Sequence, residues 1–334
     1  IANGDWSSDV CSSDLSAMIS EDYSRSDNII KSFNWVLSCL SYLWNGFYNH
    51  FIDPFVWLFT GKTHVTRLLC TSDYSPKTTM TIQGMIMSES SFPETRSLLL
   101  RHEKYDVVYA MQLFYKEAGV RLGAPYFNAT FRNNTSVCFH QLLGTNVVLQ
   151  VVDDLKNTPY DRENEEHEAL LLQLWSNLKP DEELIARETD QWGDIGFQGR
   201  DPATDFRGLG LLSLSNLCYY ALHHTDEAIH CLLQSDVTRG GYPMAITGIQ
   251  LSALINDWTA KRLLDRQFFS VDVENTDMSL EERALYFYQE FFCRVFTAFD
   301  AFYESKHPEN LLQFPIILKE FEKSILRQIE EGIF

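Results

Sequence analysis

Residues 192–210 read WGDIGFQGRDPATDFRGLG, and five glycines (Gly193, Gly196, Gly199, Gly208, Gly210), Pro202 and three aromatics fall within these nineteen positions. No helix or strand interior tolerates that density, because glycine carries the largest backbone entropy cost and proline removes a donor. The stretch is therefore expected to be a loop. On either side, Glu166 to Leu178 and Leu211 to Leu222 place apolar residues at helical spacing, so the loop is held between helices. Trp192, Phe197 and Phe206 are its expected buried anchors. Thr204 or Asp205 fits an N-cap, which puts Arg207 in the first turn of the following helix. A cation there opposes the helix dipole by ~0.3–1 kcal/mol if exposed, and Gly208 and Gly210 weaken the same turn. Places where local rules are broken are commonly functional or strained.

The wording continues outward as HEALLLQLWSNLKP from His167 to Pro180, GLLSLSNLCYY from Gly210 to Tyr220, GYPMAITGIQ from Gly241 to Gln250, and a C-terminal helix through Phe299, Phe302 and Tyr303. In these stretches the chain resembles the ELMO domain family, specifically the branch that activates GTP hydrolysis by Arf and Arf-like GTPases. The resemblance covers residues 96 to 330, with a looser likeness near 35 to 70. It implies an all-α, multi-helix domain over 96–332. It also implies that the arginine of the TDFRG segment, here Arg207, is the catalytic one. The scaffold branch of the family, which works beside exchange factors, generally lacks that arginine, so its presence favours the activating branch. Around it, Gly199 and Gly208 would let the backbone approach the GTPase. Asp205 would orient Arg207 or cap the helix, and Gln198 would hydrogen-bond across the loop or to the partner. Gln198, Asp201 and Asp205 also read simply as turn formers.

The implied role has a physical basis. In GTP hydrolysis, charge develops on the γ-phosphoryl and bridging oxygens, and a guanidinium fork supplied in trans hydrogen-bonds both. Such fingers contribute rate gains of ~10³ to 10⁵, roughly 4–7 kcal/mol of transition-state stabilisation. GTP and Mg²⁺ would belong to the partner GTPase, so the chain needs no cofactor or metal and makes no bonds itself. The competing reading of Arg207 is a structural salt bridge to Asp201 or Asp205 that pins the loop. At the level of the protein, the alternative is a non-catalytic adaptor that binds a small GTPase or its exchange factor. A third reading is a module whose acidic helix face recruits a basic partner.

Composition sets the outer limits. The 334 residues carry a net charge of −19, or −16 when Asp5, Asp9 and Asp14 are set aside. That acidity argues against a nucleic-acid binder, which needs clustered cations to neutralise phosphates. Residues 5–15, DWSSDVCSSDL, resemble a translated sequencing adaptor, so 1–15 is excluded from fold reasoning, with Met18 or a position further upstream as the natural start. The seven cysteines show no paired spacing and read as free thiols in a reducing compartment. Sequons at Asn128, Asn133 and Asn134 matter only in a secreted chain, and no cleavable signal peptide is visible. A cytoplasmic protein is expected.

Residues 16–70 form an aromatic-rich N-terminal segment, expected to be helical. Within it, 33–59 reads as a helix on a membrane surface, a span, or a core helix, with the interfacial reading preferred because polar residues interrupt the run. Residues 71–95, rich in Ser, Thr, Met and Pro, read as a linker. Further on, Val137 to Lys156 is β-branched enough for a strand by propensity alone, whereas the resemblance implies helix. Ser279-Leu-Glu-Glu282 is a capping-box pattern, and Trp258 to Gln267 reads as a helix of its own.

Other motifs fail on spacing. Gly61-Lys62-Thr63 lacks the first glycine of a phosphate loop because Val56 stands there, and His167-Glu168 lacks the second histidine of a zinc helix because Leu171 does. His223, His224, His230 and Cys231 match no closed zinc site, and Gly208-Leu-Gly210 is only a fragment of the dinucleotide fingerprint.

Overall fold

A computed structural model of the protein describes residues 63–235, 240–271 and 277–334, and no strand occurs among the described residues. In chain order the helices are α1 (His64–Leu69), α2 (Pro76–Ser88), α3 (Pro93–Leu99), α4 (Val107–Glu117), α5 (Ala129–Asn157), α6 (Glu165–Leu178), α7 (Leu211–His223), α8 (Thr225–Gln234), α9 (Met244–Ala260), α10 (Asp265–Phe268), α11 (Leu280–Ser305) and α12 (Phe314–Glu331). Short 3₁₀ helices cover Asp190–Ile195, Pro202–Gly208 and Leu311–Gln313. The expected all-α, multi-helix class is what the chain adopts. The adaptor-like residues 1–15 and the aromatic segment 33–59 lie outside the described residues. The chain divides into two compact units, 1–68 and 69–334, and the first is described only at 63–68, where the Thr63 and Thr66 hydroxyls are 2.7 Å apart. Every helix from α2 onward lies in the second unit.

The core of that unit is built around α5, which packs against α2, α4, α7, α9, α10 and α11. Its start is set by Asn128, whose side-chain oxygen accepts from the Phe131 amide at 3.0 Å. Every residue from Leu142 to Leu149 is buried. A helix enclosed on all sides has no polar stripe, so its apolar and β-branched run carries no 3.6-residue signature. That is why propensity alone leaves Val137 to Lys156 ambiguous. Polar groups on α5 are spent on neighbouring backbone: Asn146 Nδ2 donates to the Leu99 carbonyl at 3.1 Å, and Asn134 Nδ2 to the carbonyls of Leu69 and Thr71.

The linker expected over 71–95 is corrected by the structure. Those residues form α2 and the start of α3, inside the unit that begins at Leu69 rather than at 96. Ile82 and Ile86 are fully buried one turn apart, together with Thr79 and Gln83, and the Gln83 amide bonds the buried Asp265 carboxylate. Half of the inward face is polar, which erased the period that a sequence reading looks for. Arg96 of α3 then ties the end of α2 by donating from Nε to the Ile86 carbonyl at 2.8 Å.

Elsewhere the local rules hold. Ser279 Oγ accepts from the Glu282 amide at 3.1 Å and Glu282 Oε2 from the Ser279 amide at 2.8 Å, the reciprocal capping box that opens α11. Trp258 belongs to α9, which runs unbroken to Ala260, and the separate helix expected over 258–267 is instead the short α10. The site region lies where α6 and α7 pack together and α7 packs on α9.

Candidate functional site

Between α6 and α7 the glycine-rich stretch is two 3₁₀ turns rather than an irregular loop, and each is followed within two residues by a glycine that the packing demands. The first turn, Asp190–Ile195, is closed by Gly196 at φ 88°, where an added Cβ would lie 2.3 Å from the Met244 nitrogen at the start of α9. Its carbonyl accepts from the Ile246 amide at 3.2 Å. The second turn leads to Gly210 at φ 51°, where a Cβ would meet the Thr158 oxygen at 2.3 Å. The Leu211 amide then donates to that same oxygen at 3.0 Å and starts α7. Both glycines let backbone press on backbone in a conformation that other residues rarely adopt.

Between these points the aromatic rings form a continuous chain. Trp192, Phe197 and Phe206 are all buried. Ring centroids follow at 5.5 Å from Trp175 to Trp192, 5.9 Å to Phe197, 5.6 Å to Phe206 and 5.3 Å to Tyr160, the first three pairs edge to face. That geometry suits the ring quadrupoles and adds ~0.5–1.5 kcal/mol per pair beyond the area buried. The indole of Trp192 donates to the Arg187 carbonyl at 2.9 Å, so its polar edge is satisfied as well.

The N-cap of the second turn is Asp201, not Thr204 or Asp205: its Oδ1 accepts from the Ala203 amide at 3.1 Å, and Pro202 occupies the first helical position. Asp-Pro is itself a start signal, legible in the sequence. Arg207 consequently stands in the last turn of a 3₁₀ helix, not the first turn of α7. There a cation complements the carbonyl end instead of opposing the dipole. Asp205 closes the loop by accepting from the Gln198 amide at 3.0 Å, and burial pushes its carboxyl pKa up against the bonds from Gln198 and Thr204.

The Arg207 side chain is exposed and makes no hydrogen bond or ion pair among the described residues. Its charge is felt at Asp205 only through space. The side chains of Gln198 and Thr204 and the glycines Gly199 and Gly208 are exposed too, and a Cβ at either of these glycines would meet nothing within 4 Å.

Asp201 pairs with Arg187, which the sequence reading did not single out. Arg187 Nη1 lies 3.0 Å from Asp201 Oδ1, Nε 2.5 Å and Nη2 3.0 Å from the two Glu168 oxygens, and Nη2 3.3 Å from the Tyr160 hydroxyl. Burial disfavours the Arg187 charge, but the Glu168 and Tyr160 bonds outweigh it and its pKa is raised. Glu168 mirrors this: burial raises its pKa, the Arg187 and Tyr160 bonds outweigh burial, and the net is below the ordinary value. The available signal was the second of two arginines, Arg162 and Arg187, in the acidic run from Asp153 to Asp190.

The histidines form no common site. His224 Nε2 lies 3.1 Å from Glu290 and His230 Nε2 3.7 Å from Asp300, while His167 Nδ1 accepts from the Asp161 amide. No metal-ligating group of three or more residues occurs among the described residues, and none of their helices is long and apolar enough to cross a membrane.

Comparison with known proteins places this geometry in context. The sequence model of the ELMO/CED-12 family matches residues 150–318, which contain the whole site. ELMO domain-containing protein 2 of Bos taurus is 31% identical over 287 residues, 85% of this chain and 94% of the relative. ELMO domain-containing protein B of Dictyostelium discoideum is 40% identical over 174 residues, 52% of this chain and 57% of the relative. ELMO domain-containing protein 1 of Mus musculus is 31% identical over 223 residues, 62% of this chain and 66% of the relative.

Proposed function

The chain belongs to the ELMO/CED-12 family, and on that premise we propose that it is a GTPase-activating protein for an Arf or Arf-like small GTPase, with Arg207 as the finger supplied in trans. The observation that carries this reading is the contrast within one short turn. Phe206 is buried, Asp205 is used by the Gln198 amide, Asp201 is used by Arg187 and the Ala203 amide, and Arg207 alone is exposed and unpaired. A guanidinium with no partner among the described residues is ready to donate its fork to a phosphate brought by another protein. On a GTPase already holding GTP and Mg²⁺, the fork would hydrogen-bond the γ-phosphoryl and bridging oxygens as charge develops on them. The chain itself makes and breaks no bond and needs no cofactor. Gln198, Gly199 and Gly208, open to solvent, would form the docking rim. Residues 33–59 would bring the site to a membrane surface on the cytoplasmic side.

The test is single-turnover hydrolysis of GTP preloaded on a panel of Arf and Arf-like GTPases, with the full chain as wild type, Arg207→Ala and Arg207→Lys. Wild type is expected to accelerate hydrolysis on a member of the panel by ~10³ to 10⁵, and alanine to remove nearly all of that gain. Lysine keeps the charge and loses the fork, so it too should recover little. If both variants match wild type, or no GTPase responds, the activating reading fails. Nucleotide-dependent binding that survives in Arg207→Ala would then assign the protein as an adaptor.

A further inference from the structure

We infer that Arg187 is a positioning residue for the site: it clamps Asp201 to α6 and so sets the 3₁₀ turn that carries Arg207. Its consequence for activity rests on the finger reading above, whereas the clamp itself stands on geometry alone.

Arg187 lies outside the glycine-rich stretch, yet three parts of the chain converge on it. Glu168 of α6 receives Nε and Nη2 side-on, the Tyr160 hydroxyl accepts from Nη2, and Asp201 Oδ1 accepts from Nη1. Tyr160 in turn donates to Glu168 Oε1 at 2.5 Å, and its ring packs at a tilt against Phe206, centroids 5.3 Å apart. The three charged side chains are each only about a fifth exposed: 21% for Arg187, 20% for Glu168 and 23% for Asp201. The pairs are therefore shielded from the screening that makes open surface pairs nearly worthless.

The decisive contact is the shared oxygen. Asp201 Oδ1 accepts from Arg187 and, at the same time, from the Ala203 amide that opens the turn. From there the turn runs through the Thr204 amide, which donates to the Asp201 carbonyl at 3.3 Å, to Phe206, whose carbonyl accepts from the Gly210 amide at 2.9 Å. Phe206 and the aromatic chain fix how deep the turn lies, and the clamp fixes its polar end. A second cation, Arg162, is 4.0 Å from Asp201 but is half exposed and already paired with Glu188 at 2.9 Å, so it cannot take over the role. Lysine could not either, because a single ammonium does not reach a carboxylate side-on, a phenol and a second carboxylate together.

The experiment compares the full chain as wild type, Arg187→Gln, Arg187→Lys and Asp201→Asn. The last variant keeps the oxygen that caps Ala203 and weakens only the charge pair. Two readouts are taken on folded protein: single-turnover acceleration across a titration of the activator, and amide hydrogen exchange. Arg187→Gln is expected to lower the acceleration at saturation about ten- to a hundredfold, while the concentration for half effect shifts by less than about threefold. Arg187→Lys recovers only part, and Asp201→Asn falls between. Exchange at the Ala203 amide is expected to quicken at least about tenfold in Arg187→Gln, with α7 unchanged.

Wild-type acceleration together with wild-type exchange in Arg187→Gln would overturn the clamp. So would a loss of activity that merely tracks the fraction unfolded. Should Arg187→Gln fail to fold, Asp201→Asn decides by the same two readouts. If wild type accelerates no GTPase, the finger reading falls, and exchange at Ala203 still upholds or overturns the clamp.

Discussion

At the scale of single residues, the stretch from Trp192 to Gly210 separates into positions the fold uses and positions it leaves open. Gly210 and Gly208 make the distinction measurable. At Gly210 a methyl would have to displace the Thr158 carbonyl 2.3 Å away at a positive φ, so Gly210→Ala is expected to cost about 3 kcal/mol or more, read as a lower denaturation midpoint. Gly208 has no positive φ and open space where the methyl would go, so Gly208→Ala should change stability by less than about 1 kcal/mol. Under the proposed function the same methyl stands on the docking rim. Gly208→Ala should therefore weaken activation of the GTPase while leaving the midpoint nearly unmoved. The density of glycines was legible in the sequence, but which of them bear a load was not, because that depends on the carbonyls of residues 156 and 158 and on the start of α9.

At the scale of elements, α3 shows how a helix can be capped from a distance. Its N-cap residue, Phe92, offers no side-chain bond. Glu117, at the end of α4, supplies it instead, accepting from the Glu94 amide at 2.7 Å, the Thr95 amide at 3.0 Å and the Thr95 hydroxyl at 2.6 Å. Glu117→Ala is expected to cost ~1 kcal/mol, the usual worth of a cap, and to loosen α3 against α4. The pH dependence comes from the carboxylate. Burial raises the Glu117 pKa, but the Thr95 and Glu94 bonds outweigh it and the folded value is below the ordinary 4.5. Its contribution is thus fully present above 4.5 and is lost as pH falls through the lowered folded value. Thermal midpoints of wild type and Glu117→Ala should differ at neutral pH and converge in that acid window. This arrangement also explains why residues 71–95 read as a linker. The segment keeps its helices with polar inward residues and borrowed partners, Glu117 and Asp265, that are remote in sequence.

At the scale of the whole molecule, the thiols report how closed the larger unit is. Cys138, Cys218 and Cys231 are buried, and burial pushes each pKa up to about 12. Cys293 is buried and shifted upward as well, whereas Cys70 is only half-buried. Only the thiolate reacts, so a brief alkylation of native protein at about pH 8 should leave these four buried thiols unmodified and label Cys70, as read by peptide mass spectrometry. Labelling of Cys138, which lies on the enclosed face of α5, would show that the core opens as a unit on that timescale.

By itself the sequence determined the all-α class, the helices on either side of the Trp192–Gly210 stretch, the aromatic residues buried in it, the capping box at Ser279 and the family likeness. Each of these is written in local spacing or local wording, which survives without knowledge of the fold. Tertiary structure alone decided which carboxylate meets which arginine. Asp201 lies six residues before Arg207 and fourteen after Arg187, yet it pairs with Arg187, because Glu168 and Tyr160 have already drawn that guanidinium to the start of the turn. Ion pairing is settled by distance in space and by which charges are shielded together. No local pattern encodes either, and their outcome here is that Arg207 is left exposed and without a partner among the described residues.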